Sequence, residues 1–175
     1  MQIVLGDDPS AGGVLLFGDL SYPTIRRIFD ETKAAGQEEN LAWQVMLAPH
    51  HCSKSVMYQD EDGTLTLKQD ILDDIEAAMV GMGTIVASCE AIPASNIKGD
   101  NPPHAKAKAR YQEIAGAFFC THEDGKSGEP LFFSVGDDAT IDYVELGVPS
   151  DDPVAGAVDS ARGGSAPPSD KVGFG

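Results

Sequence analysis

Leu41-Ala42-Trp43-Gln44-Val45-Met46-Leu47-Ala48-Pro49-His50-His51-Cys52-Ser53-Lys54-Ser55 is the stretch from which the fold is read. Its first half is short and apolar, with an aromatic and a β-branched residue, and predicts a buried strand over 41–48. The strand ends in Pro49-His50-His51 and so delivers two imidazoles to a sheet edge, where α/β proteins place their chemistry. About thirty residues earlier Val14-Leu15-Leu16-Phe17-Gly18-Asp19 repeats the design with an apolar strand, a glycine and an aspartate. One carboxylate and one or two imidazoles at neighbouring strand ends are ligands that a zinc-like ion accepts. Three or four protein ligands are normally needed, so the set is incomplete.

Composition narrows the class. A chain of 175 residues with 42% hydrophobic content suits one globular domain with a real core. No run reaches the ~18 to 20 apolar residues of a membrane span. The start, Met1-Gln2-Ile3-Val4-Leu5, lacks a basic leader, so no membrane association and a cytoplasmic location are expected. Cys52, Cys89 and Cys120 are odd in number and show no CxxC spacing, which predicts buried free thiols rather than a disulfide framework. A formal net charge of −16 argues against a broad basic face for nucleic acid; Lys98, Lys106, Lys108 and Arg110 form the one basic cluster. Solubility, including in a salty habitat, is the plain reading of that acidity.

Taken in order, strands at 2–5 and 14–17 are joined by a connector dense in turn residues and form an antiparallel hairpin. Ser21 is placed to cap a helix with Pro23 in its first turn, Ile25, Ile28 and Phe29 on its buried face, and Gly36 at its stop. Residues 53–66 read as a surface excursion with a turn at Asp60-Glu61-Asp62-Gly63. A helix over 67–80 puts Ile71, Leu72, Ile75, Ala78 and Met79 on one face and is ended by Gly81 and Gly83. A strand at 84–89, a long loop at 92–104 and a helix over 105–115 follow. Strands at 117–121, 131–135 and 140–146 predict a closing meander. The expected organisation is a domain over 1–147 and a disordered tail over 148–175, rich in Pro, Gly, Ser and Asp. The fold class is α/β, a mixed sheet covered by helices.

Gly18-Asp19 followed by Pro49-His50-His51-Cys52-Ser53 resembles the later half of a metallo-β-lactamase fold, in the branch of ComEC-type DNA-uptake proteins and their stand-alone relatives. That branch carries a strand ending in Gly-Asp, a helix, and a strand ending in His-His-Gly-Ser. An asparagine-containing loop with a His-Pro-like element, a helix, and a strand running into a Thr-x-x-x-Gly turn follow. The corresponding stretches here are 95–104, the helix carrying Tyr111, and Phe119-Cys120-Thr121-His122-Glu123-Asp124-Gly125, so the resemblance covers roughly residues 2–135. Cys52 stands where the branch has glycine, which puts the backbone of that turn in question. The family's His-x-His-x-Asp-His motif and a further upstream histidine are absent from this sequence. The resemblance therefore implies the C-terminal half of an αββα sandwich: a fragment, an internal start, or a subunit needing a partner.

By that resemblance Asp19 is the carboxylate bridging two divalent ions, most simply zinc, and His50 or His51 ligates one of them. Such a pair of ions suits hydrolysis of a phosphodiester or another ester-like bond. Helix capping is the alternative role for Asp19, and a packed and a solvated imidazole are the alternative for the histidines. Position directly after the strand favours His50, with His51 in support. Ser53 and Lys54 are candidates to contact an anionic substrate, against plain loop exposure, and His104 is a candidate to face the cleft. His122, beside a turn, reads as solvated. Two functions stay open: a metal-dependent hydrolase with an incomplete active site, or a non-catalytic interaction or regulatory module. Either would need an N-terminal half-domain or a second copy of the chain to cover its open sheet.

Overall fold

A computed structural model describes residues 1–4, 7–96, 101–125 and 130–145. The compact unit is Met1–Val144; a second unit begins at Glu145, and the tail expected over 148–175 lies outside the described residues. The elements of the first unit are β1 (Gln2–Val4), β2 (Gly13–Leu16), α1 (Tyr22–Ala34), β3 (Trp43–Leu47), β4 (Tyr58–Glu61) and β5 (Thr64–Leu67). Then come α2 (Gln69–Ala77), β6 (Met79–Ala87), α3 (Ala105–Ile114), β7 (Ala117–Cys120), β8 (Phe132–Val135) and β9 (Ile141–Val144). The fold is α/β, with a mixed sheet and helices, as the strand and helix pattern predicts. No helix among the described residues is long and apolar enough to cross a membrane.

Five strands form the main sheet in the order β1-β2-β3-β6-β7. β1 pairs antiparallel with β2 in the expected hairpin, and β2, β3, β6 and β7 run parallel. Parallel neighbours bring their carboxyl ends to one edge, so the residues after Leu16, Leu47, Ala87 and Cys120 meet there. One face of the sheet carries the core. Leu15, Met46 and Ile85 pack with Ile25 and Phe29 of α1, Ile71 and Ile75 of α2, and Ala107 and Tyr111 of α3. Trp43 is fully buried and its indole N–H donates to the Ile75 carbonyl at 2.8 Å, which ties β3 to α2. On the other face the β8–β9 hairpin is fixed by Gln44, whose amide donates to the Ala139 carbonyl at 2.8 Å and accepts from the Ile141 N–H at 2.9 Å. Leu47 and Val135 stay partly exposed on that side, at 37% and 48%.

Three expectations are corrected. Residues 53–66 are not a bare excursion: Val56 and Met57 are fully buried, and β4 and β5 pair as a hairpin through Asp62 and Gly63. Both turn residues hold positive φ, at 54° and 81°, as a two-residue primed turn requires. Gly81 and Gly83 do not end a helix, because α2 stops at Ala77 and both glycines lie inside β6. The register of β6 against β3 shifts between Trp43 and Val45, and a Cβ on Gly83 would lie 2.5 Å from the Trp43 ring, so glycine makes room for the buried indole. The final strands are not one meander: β7 joins the main sheet beside β6, and among the described residues β8 and β9 pair with each other in a separate two-stranded sheet.

α1 and α2 are clamped by charge. Asp74 accepts from Arg26 and Lys33, and Arg26 also pairs with Asp30 at 2.9 Å. Burial opposes ionisation of Asp74, but the hydrogen bonds from Lys33 and Arg26 outweigh it and hold its pKa below the usual value. A carboxylate with a depressed folded pKa stabilises above its unfolded pKa, and that stability is lost as pH falls through the folded value. Asp74→Asn should therefore lower the urea midpoint at neutral pH and flatten the loss of stability below pH ~4. The variant and the parent should converge at the lowest pH; urea titrations across the acid range check this.

Candidate functional site at the carboxyl edge of the sheet

The chain leaves β3 through a backbone that L-residues rarely adopt. His50, His51 and Cys52 hold φ of 50°, 53° and 64°, a left-handed turn without a glycine. Each such residue costs roughly 1–2 kcal/mol. Surrounding contacts over-determine the turn. The His50 N–H donates to the Gly18 carbonyl at 2.8 Å, which staples the end of β3 to the end of β2. The Cys52 side chain is fully buried, and its carbonyl accepts from the His104 N–H at 3.1 Å. Cys52 thus keeps a glycine-like conformation, and burial pushes its thiol pKa up to about 12. Residues held in such regions cluster at functional sites, which makes this turn the place to look.

The turn places the two imidazoles differently. His51 Nδ1 lies 2.7 Å from the Ser88 carbonyl, an acceptor, so that nitrogen carries the proton and donates. In the neutral ring Nε2 is then the nitrogen with the lone pair, and it lies 3.5 Å from Asp19 Oδ1. That separation exceeds the ~2.7–3.2 Å of an N–H···O hydrogen bond. It matches the ~3.4 Å between ligand atoms bound at ~2.1 Å to one tetrahedral zinc. Both side chains are open to solvent, His51 at 56% and Asp19 at 72%. His50 turns away, its Nδ1 3.5 Å from Ser55 Oγ. The neighbour of Asp19 is therefore His51, although strand position favours His50.

The remaining sequence candidates play supporting parts. Ser53 is buried, and its hydroxyl accepts from the Ser55 N–H at 3.2 Å to cap the short turn over Lys54–Val56. Lys54 is half-buried and donates its backbone N–H to His104 Nδ1 at 3.2 Å. His104, at the N-cap position of α3, is 4% exposed, so it braces the turn rather than facing solvent. Asp19 lies in the turn between β2 and α1, while Ser21 stands at the N-cap position of α1 without a side-chain hydrogen bond.

A cleft of about 880 Å³ opens beside His51, bounded by Ser88, Cys89 and Glu90 after β6, Thr121 and His122 after β7, and Pro102 and Pro103 before α3. His122, read from the sequence as solvated, lines this cleft, with Nδ1 3.1 Å from Glu90 Oε2. The signal that locates it is topological: it follows a parallel strand at the same edge as His51. Glu123 braces the floor, accepting from the Ile92 N–H at 2.9 Å and from Lys108 Nζ at 2.8 Å. The Lys108 bond chiefly holds its pKa below the usual glutamate range. Among the described residues no group of three or more His, Cys, Asp or Glu side chains is placed to hold one metal ion. Asp19 and His51 therefore bring together two side chains of ligand type, one short of the three that a catalytic zinc normally has.

Comparison with family models, with curated proteins and with solved structures finds no match to this chain. His104→Ala should remove the acceptor of the Lys54 N–H together with a buried ring, at a cost on the order of 2–4 kcal/mol. Urea denaturation measures that loss; an unchanged midpoint would mean that the turn does not lean on His104.

Proposed function

We propose that this chain carries one side of the metal centre of a metallo-β-lactamase-like hydrolase, with Asp19 and His51 as ligands of a divalent ion such as zinc. The observation that carries the reading is the 3.5 Å between His51 Nε2 and Asp19 Oδ1, with Nδ1 occupied by the Ser88 carbonyl. A metal-binding histidine commonly donates its other ring N–H to a carbonyl, which fixes the tautomer and the ring plane. The strained turn that presents His51, and the order of Gly-Asp, His-His, loop and Thr-x-x-x-Gly elements, support the same family. The partly exposed Leu47 and Val135 on the sheet's second face support a half-sandwich whose other layer lies elsewhere.

In this reading each residue has a physical task. Ser88 orients His51, and the Gly18 carbonyl sets the distance between the two strand ends through the His50 N–H. Asp19, exposed at the strand end, supplies the negative charge that an ion needs. Bound there, a divalent ion supplies Lewis acidity and lowers the pKa of water, which suits hydrolysis of a phosphodiester or other ester-like bond. His122, with Nδ1 3.1 Å from Glu90 Oε2, lines the cleft and is the second imidazole available there. The ligands that complete the centre come from outside the described residues, from an N-terminal half-domain or from a second copy of the chain. The net charge of −16 disfavours, without forbidding, a nucleic acid as the substrate.

A second reading has its own observation. With no three-ligand group among the described residues, the fold also suits a non-catalytic module that pairs with another half-domain. Zinc titration against a chromophoric chelator separates the two. The hydrolase reading predicts weak binding by the chain alone, reduced about tenfold or more by Asp19→Asn or His51→Gln and unaffected by His50→Gln. Binding that ignores Asp19 and His51 would leave only the non-catalytic module. Two tightly held ions per chain would overturn the claim that the centre is incomplete.

A further inference from the structure

Cys120 ends β7 and Cys89 follows the end of its parallel neighbour β6; the last registered pair of the two strands is Ala87 with Cys120. Cys89, two residues past that pair, brings its Sγ to 3.8 Å from Cys120 Sγ. The two differ in access. Cys120 is fully buried, whereas Cys89 is half-buried and lines the cleft. Their backbones are tied together: the Cys89 N–H donates at 3.3 Å to the hydroxyl of Thr121, the residue after Cys120, and the Cys120 N–H donates to Asp124 Oδ2 at 2.6 Å. We propose that Cys89 and Cys120 form a redox-active dithiol beside the cleft, converted slowly to an intramolecular disulfide by small-molecule disulfides.

The chemistry balances as two exchanges. Cys89 loses its proton, and its thiolate attacks one sulfur of the small disulfide. The S–S bond breaks, and the departing thiolate takes up a proton to leave as a thiol. Cys120 Sγ then attacks Cys89 Sγ in the mixed disulfide. The second small thiolate is expelled and takes the Cys120 proton. The protein is oxidised by two electrons, and the small disulfide is reduced to two thiols. Closing the pair needs an approach of about 1.8 Å, from 3.8 Å to the ~2.0 Å of an S–S bond. Cys89, at the cleft, is the attacking thiol, and buried Cys120 resolves. Burial, with Cys120 alongside, raises the Cys89 pKa, so the first exchange is limited by the scarce thiolate.

The bond would act next to the metal-ligand candidates. Ser88, whose carbonyl holds His51 Nδ1, directly precedes Cys89. Closing the disulfide ties the 88–90 segment to the end of β7 and fixes one wall of the cleft. That consequence rests on the metal reading; the disulfide itself does not.

The test uses the full chain, free of metal, exposed to glutathione disulfide, then alkylated under denaturing conditions and weighed intact. Trypsin separates the three cysteines, because Cys52, Cys89 and Cys120 fall in peptides 34–54, 69–98 and 111–126. The expected result is a chain short of two hydrogens with one alkylatable thiol, peptides 69–98 and 111–126 joined, and full reversal by reductant. Cys89→Ser should keep two alkylatable thiols and form no link. A lasting glutathione adduct on Cys89, three alkylatable thiols, or a link through peptide 34–54 would overturn the proposal. Because no metal is present, loss of the Asp19–His51 reading would leave this result standing, and the reverse also holds.

Discussion

The left-handed backbone of His50, His51 and Cys52 is the constraint on which the arrangement at the sheet edge depends. A right-handed turn would carry the chain away from β2, and the 2.8 Å bond from the His50 N–H to the Gly18 carbonyl could not form. With that bond in place the ends of β2 and β3 are held together, and His51 reaches both the Ser88 carbonyl and Asp19. The conformation is costly for residues with a Cβ, so it must be held from outside. Burial of Cys52 and the two backbone bonds to His104 do this, and they explain why a buried histidine sits at the start of α3.

The sheet supplies the rest of the geometry. Four parallel strands send Asp19, His51, Cys89 and His122 to one edge, from segments far apart in sequence. The helices α1, α2 and α3 fill one face with apolar side chains, and the Arg26–Lys33–Asp74 clamp binds α1 to α2 at its rim. Among the described residues the opposite face carries the β8–β9 hairpin, aligned by Gln44. The buried core lies on the helix-covered face, and Leu47 and Val135 stay partly exposed on the other.

Much of this was legible in the chain because the signals are local. Apolar runs of strand length, Pro23 and Gly36 around α1, and the spacing of Ile71, Leu72 and Ile75 depend on neighbours within a turn or two. Asp19 and the histidine pair stood out because each follows such a run. The choice between His50 and His51 was not legible, since it turns on the handedness of one turn that Cys52 conceals. Gly83 reads as a helix stop because its true role, clearing space for Trp43 from a strand forty residues away, is non-local, and Gly81 serves β6 through a positive φ of 67° rather than by ending a helix. The Asp62-Gly63 pair carried a hairpin signal that weak alternation in Tyr58–Glu61 and Thr64–Leu67 obscured. His122 was invisible as a cleft residue until β7 was placed parallel to β6.

The most direct test of the account is the nitrogen NMR spectrum of the histidine side chains, recorded at a pH where they are neutral, with and without zinc. The account predicts His51 with its proton on Nδ1 and an Nε2 resonance that moves on adding zinc, while the His50 and His122 resonances hold still. A His51 protonated on Nε2, or a zinc response confined to another histidine, would contradict it.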